Sequence, residues 1–186
     1  MNLPNCLTVF RIILTFFFIY FLQKPGFNAK YVATGIFAVA SFTDWLDGFI
    51  ARRYKLITDF GKIMDPIADK FLTLSAFVVF SLLGIIPFWM TLLIAVREIG
   101  LTLLRFKAMG EGKVLAAESL GKYKTVCQML TIIVILYILI LPPMPDTHDS
   151  INHQDLVISV LMWITLGITV ISGISNISQN RRAYGF

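Results

Sequence analysis

Six apolar segments, at roughly residues 6–22, 31–50, 64–84, 87–106, 123–141 and 155–176, run almost end to end through a chain of 186 residues. Each approaches the ~20 apolar residues that carry a helix across the hydrocarbon of a bilayer. In lipid such a run satisfies its own backbone groups only as a helix or within a closed barrel. Composition agrees, with 57% hydrophobic and 15% charged residues, where soluble domains hold about 45–50% and about 25%. The same figures exclude a disordered chain, a collagenous repeat and a disulfide scaffold. The expectation is an all-α polytopic membrane protein, a single domain over residues 1–186 with six transmembrane helices.

Proline and glycine fall between the segments, as Pro25-Gly26, Gly84 with Pro87, Gly110 with Gly112, and Pro142-Pro143 with Pro145, where they break helices and make turns. The opening MNLPNCLTVFR has no basic head and no small-residue cleavage site, so it reads as a retained first span. Cys6 and Cys127 lie in apolar runs and are expected to be buried free thiols.

Lys and Arg set the orientation. The connections 23–30, 85–86 and 142–154 hold only Lys24 and Lys30. The opposite side holds eleven: Arg52, Arg53, Lys55, Lys62, Arg105, Lys107, Lys113, Lys122, Lys124, Arg181 and Arg182. Both termini and the two basic loops are therefore expected in the cytoplasm, with the acidic loop PPMPDTHDSINHQD facing away. The basic loops are short and border membrane spans, so anionic lipid, and no nucleic acid, is their expected partner.

Four carboxylates sit where charge is costly. Asp44 and Asp47 lie at i, i+3 near the end of segment two, and Asp65 and Asp69 at i, i+4 where segment three opens. On a helix each spacing stacks two carboxylates on one face, where they repel. Ionisable groups at membrane depth mark function by default. A divalent cation relieves the repulsion, and oxygen ligands without His or Cys point to Mg²⁺, Mn²⁺ or Ca²⁺ over zinc. The bland alternative pairs these aspartates with Arg52, Lys62 or Lys70. Gly48 removes a side chain beside them, opening the backbone to a flat base or phosphate. Gly61 would loosen the loop into segment three, and Pro66 is expected to start or kink that segment near Asp65.

The pattern Asp44-x2-Asp47-Gly48-x2-Ala51-Arg52-x8-Gly61-x3-Asp65-x3-Asp69 resembles, at every fixed position, the signature of the CDP-alcohol phosphatidyltransferases. The resemblance extends to the six-span layout and to Asn5-x2-Thr8-x2-Arg11. Arg97-Glu98-Ile99 with Arg105, then Gly121-Lys122-Tyr123-Lys124-Thr125 and Gln128, look most like the phosphatidylglycerophosphate synthases of that family. The resemblance implies displacement of CMP from CDP-diacylglycerol by glycerol 3-phosphate, in a homodimer, with the active site on the cytoplasmic side of a bacterial inner membrane. It implies Asp44, Asp47, Asp65 and Asp69 as ligands of two divalent ions, Mg²⁺ or Mn²⁺. It also implies Asp69 as general base on the acceptor hydroxyl, although a metal-bound carboxylate is a weak base and can serve mainly to orient. Gly48, Ala51 and Arg52 resemble the CDP-binding part of the motif, with a positive-inside anchor as the alternative for Arg52.

A dianionic acceptor needs cations beside the carboxylates. Arg97, Arg105, Lys122 and Lys124 are the candidates, Arg105 being about two turns beyond Arg97 near the same face. An Arg97–Glu98 ion pair is the bland alternative, set against the divergence of neighbouring side chains on a helix. For the two lysines it is snorkelling to headgroups. His148 and His153 read as solvated residues of the outer loop, Phe16, Phe17 and Phe18 as lipid-facing or packing residues, and Trp45 and Trp89 as an aromatic belt. Rival functions are a sibling enzyme with another acceptor (phosphatidylglycerol, inositol or serine) and a cation transporter. The transporter is disfavoured because no charges continue the path toward the other face.

Overall fold

The computed structural model describes residues 3–54, 59–111, 120–141 and 153–184. Lys55, Gly112, Lys113 and residues 142–152, with their prolines and His148, lie outside them, as do the surroundings of Gly48 and the side chains of Asn5, Asp47, Ala51, Arg52, Lys62, Asp65 and Lys122. The described residues are all helical apart from short turns. Six long helices are α1 (Leu3–Gln23), α2 (Phe27–Tyr54), α3 (Asp59–Leu82), α4 (Phe88–Gly110), α5 (Leu120–Ile140) and α6 (His153–Gln179), and α7 (Arg181–Tyr184) is a single turn. α1, α2 and α6 contain their apolar segments and overrun them, while α3, α4 and α5 begin or end within two residues of one segment edge and extend past the other.

Turns fall where glycine and proline foretell them. Gly26 and Gly84 adopt φ of +98° and +73° between α1 and α2 and between α3 and α4, a conformation that costs glycine nothing and a residue with a Cβ a good deal. Pro87 stands in extended conformation at the head of α4. Proline did not do the same in α3. The helix begins at Asp59 and runs through Pro66, so Pro66 does not start it, and Gly61 lies inside the helix instead of in a loop. One proline removes one backbone hydrogen bond, and the turns that propagate on either side hold the segment helical. His153 likewise opens α6 and is not in a loop.

The helices pack as α1 on α2 and α3, α5 on α6, and α4 bridging α3 and α6. Phe18, Phe37, Phe77, Phe80, Ile94, Ile132 and Met162 fill the interior. Threonines line the seams, Thr131 and Thr165 bonding across α5 and α6 at 2.7 Å. The outer surface is also apolar: Phe16, Phe17, Leu82, Val96, Leu103, Tyr123 and Ile174 are exposed, while Phe18 is buried. A surface of that kind belongs in lipid, not water. α1, α5 and α6 are long and apolar enough to cross a membrane, at Cys6–Gln23, Tyr123–Ile140 and His153–Gln179. α2, α3 and α4 are as long but carry the charges that build the site. The protein is a membrane protein on this evidence. Cys6 is exposed and Cys127 half-buried, both free, so the expected burial fails for Cys6, which lies on the outer face of α1.

Candidate active site

Asp44 projects from α2 and Asp69 from α3 toward one cavity of about 800 Å³, whose other walls carry Arg97, Glu98 and Arg105 of α4, Lys124 of α5 and Asn176 of α6. Aspartates of α2 and α3 share this cavity with cations of α4 and α5, Glu98 standing among the cations and Lys70 beside Asp69. The helical register of α2 and α3 puts Asp47 one turn from Asp44, and Asp65 one turn from Asp69. Among the described residues no group of three or more acidic, His or Cys side chains is clustered for a metal. The two described carboxylates are hard oxygen donors on packed helices, the chemistry a divalent ion of the Mg²⁺ type requires.

Asp44 is also held from behind. Arg11 of α1, fully buried, places Nη1 2.5 Å from Asp44 Oδ1. An ion pair of the kind expected as the bland alternative thus exists with Arg11, a partner not among those weighed, while the side chains of Arg52 and Lys62 lie outside the described residues. A buried guanidinium needs such a counter-charge.

The cationic wall is tied together by a residue that sequence reasoning did not assign to the site. Glu98, 3% exposed in its side chain, accepts at Oε1 from Lys124 Nζ at 2.5 Å, Arg97 Nη1 at 3.0 Å and Gln128 Nε2 at 3.3 Å. Arg97 and Glu98 therefore do pair, against the expectation that neighbours point apart. Their Cβ atoms diverge by about 100°, but the arginine stem is long enough to bring its head back. Lys124 is buried on Glu98, which rules out snorkelling as its resting place. Lys70 donates to Thr102 Oγ1 and to the Glu98 carbonyl, the latter at 3.4 Å. Arg97 reaches across to α6, donating from Nη2 to Ser172 Oγ at 2.5 Å. Arg105 lies on the exposed side of the same wall. At the α6 edge, Tyr184 of α7 donates to Asn176 Oδ1 at 2.8 Å. Trp45, expected in an aromatic belt, is exposed beside the cavity and stacks on Phe49.

A family model described as CDP-alcohol phosphatidyltransferase matches residues 1–171. A Bacillus subtilis (strain 168) protein named CDP-diacylglycerol--glycerol-3-phosphate 3-phosphatidyltransferase is 35% identical, over 98% of this chain and 96% of its own length. A Mycobacterium tuberculosis (strain ATCC 25618 / H37Rv) protein named probable phosphatidylglycerophosphate synthase is 37% identical, over 99% of this chain and 84% of its own. An Escherichia coli (strain K12) protein with the first of these names is 38% identical over 73% of this chain and 77% of its own. With its carboxylates and cations facing one cavity and with similarity along its whole length, the chain belongs to the CDP-alcohol phosphatidyltransferase family.

Proposed function

We propose that this enzyme transfers a phosphatidyl group from CDP-diacylglycerol to sn-glycerol 3-phosphate, releasing CMP and forming phosphatidylglycerophosphate. The observation that carries this reading is the mixed cavity, in which Asp44 and Asp69 share one space with Arg97, Arg105 and Lys124. A neutral acceptor such as inositol needs no cationic wall, whereas a phosphate dianion does. The names of the relatives point to the same pair of substrates.

In this reading the acceptor's phosphate lies against Arg97, Arg105 and Lys124, with Lys122 beside them. That leaves its hydroxyl directed at the carboxylate wall. The hydroxyl oxygen attacks the phosphorus bonded to diacylglycerol, the bond from that phosphorus to the CMP oxygen breaks, and CMP leaves. Asp69 accepts or directs the hydroxyl proton. Asp44, Asp47, Asp65 and Asp69 would hold two divalent cations, Mg²⁺ or Mn²⁺, which when bound neutralise the diphosphate. Gly48, Ala51 and Arg52 take the cytidine end. The reading also includes six spans in the bacterial inner membrane, both termini in the cytoplasm, and a homodimer.

The test is CMP release by the purified full chain over a panel of acceptors. Turnover is expected with glycerol 3-phosphate, well above that with phosphatidylglycerol, inositol or serine. It should vanish in excess EDTA and return with Mg²⁺ or Mn²⁺. Preference for another acceptor overturns the substrate assignment, and full turnover in EDTA overturns the metal.

A further inference from the structure

The cations of the cavity do not stand independently. Arg97 and Lys124 meet on one atom, Glu98 Oε1, so their charged heads lie within the sum of two hydrogen-bond lengths. Two like charges that close, away from bulk water, repel strongly and need an anion between them. Arg97 is closed in on its other side by α6. Ser172 accepts from Nη2, and a Cβ added at Gly173 would lie 3.2 Å from both Cγ and Nε of Arg97. That is tight enough to force the side chain aside by a few tenths of an ångström. Arg97 Nε has no acceptor among the described residues, and Arg97 borders the cavity.

We propose that Glu98 is a positioning residue that sets Arg97 and Lys124 in the geometry that receives the acceptor's phosphate, with Gly173 as the gap in α6 that lets Arg97 take that place. Glu98 acts through these two side chains and touches no substrate. This inference rests on the reading of Arg97 and Lys124 as phosphate ligands. Its physical basis is preorganisation. Cations fixed before the anion arrives need not be ordered by it, and small displacements of positioned groups are costly.

The sign of the effect separates positioning from plain electrostatics. Glu98→Gln keeps the shape of the side chain and removes its negative charge. If Glu98 only lowered the potential of the cavity, its loss would strengthen phosphate binding and lower the KM for glycerol 3-phosphate. If it positions the cations, that KM rises. The full chain and its Glu98→Gln and Gly173→Ala variants are assayed with both substrates. Each variant is expected to raise the KM for glycerol 3-phosphate about tenfold, leaving the KM for CDP-diacylglycerol within about twofold. Placed in an Arg97→Gln/Lys124→Gln background, Glu98→Gln should add less than about twofold, since residues acting as a unit are not additive.

An unchanged or lowered KM for glycerol 3-phosphate in Glu98→Gln overturns the proposal. A full additional loss in the double-variant background does so too, because it indicates a merely structural role. Should Glu98→Gln fail to fold, Gly173→Ala decides alone, and native kinetics there overturn the proposal. If Arg97→Gln/Lys124→Gln keeps native kinetics with glycerol 3-phosphate, the phosphate-site reading fails first, which is a distinguishable outcome.

Discussion

Asp69 and Asp44 face the same space from different helices, yet their surroundings differ. Asp44 is backed by the Arg11 guanidinium at 2.5 Å, which fixes one of its carboxylate oxygens. No such ion pair is seen for Asp69 among the described residues, and that suits a group that receives or steers a proton. Asp69→Asn is therefore expected to lower kcat by about 10²–10⁴, the range for losing a positioned acid–base group, with a small change in the KM for CDP-diacylglycerol. Steady-state kinetics in both substrates check this, and equal loss in both reassigns Asp69 to metal binding alone. The aspartates were readable because i, i+3 and i, i+4 spacings fix which side chains share a face. The partner of Asp44 is not. Arg11 lies on another helix, and the meeting of two helices depends on their register, which no local pattern encodes. Glu98 is legible as the bland partner of Arg97, and what counts against that pair is the divergence of adjacent residues, a rule that long side chains escape.

At the scale of the helix, the apolar runs located all six long elements, and Gly26 and Gly84 located the turns between α1 and α2 and between α3 and α4. Where the pattern and the structure differ is the start of α3, which lies at Asp59, ahead of Gly61 and Pro66, so the helix runs through both. Breakers act on local propensity, while burial of Leu72, Ala76 and Phe77 acts over the whole segment. The helix seams hold buried threonines, whose hydroxyls bond within and between helices. The Thr131–Thr165 bond at 2.7 Å joins α5 to α6. Hydrogen bonds between membrane helices are worth about 0.6 kcal/mol on average, so Thr165→Val is expected to destabilise only mildly. Unfolding in mixed micelles should show a loss of about that size, largely absent when Thr131 is already Val. A loss of several kcal/mol would mean that the pair organises the seam instead of merely decorating it.

For the molecule as a whole, the eleven-to-two division of Lys and Arg between the two ends of the apolar segments predicts cytoplasmic ends. A single cysteine introduced beside Arg182, in a chain with Cys6 and Cys127 replaced, should resist an impermeant thiol reagent applied to intact cells and react once the membrane is opened. Reaction in intact cells reverses the orientation. The charged cluster on α4 and α5, sheltered by α6, has a further consequence for the order in which the chain is made. In the proposed six-span topology α4 enters the bilayer carrying Arg97 and Glu98 in its middle, where groups of this kind cost about 2.5–3.5 kcal/mol each on a lone helix. The pair formed within α4 offsets part of that cost at once, and Lys124 adds to it when α5 arrives. Ser172 and Gly173 come last, so Arg97 has no finished seat until α6 is inserted. α6 thus closes the cavity and shelters that charge in one step, so a chain stalled before α6 is expected to leave Arg97 without its Ser172 partner.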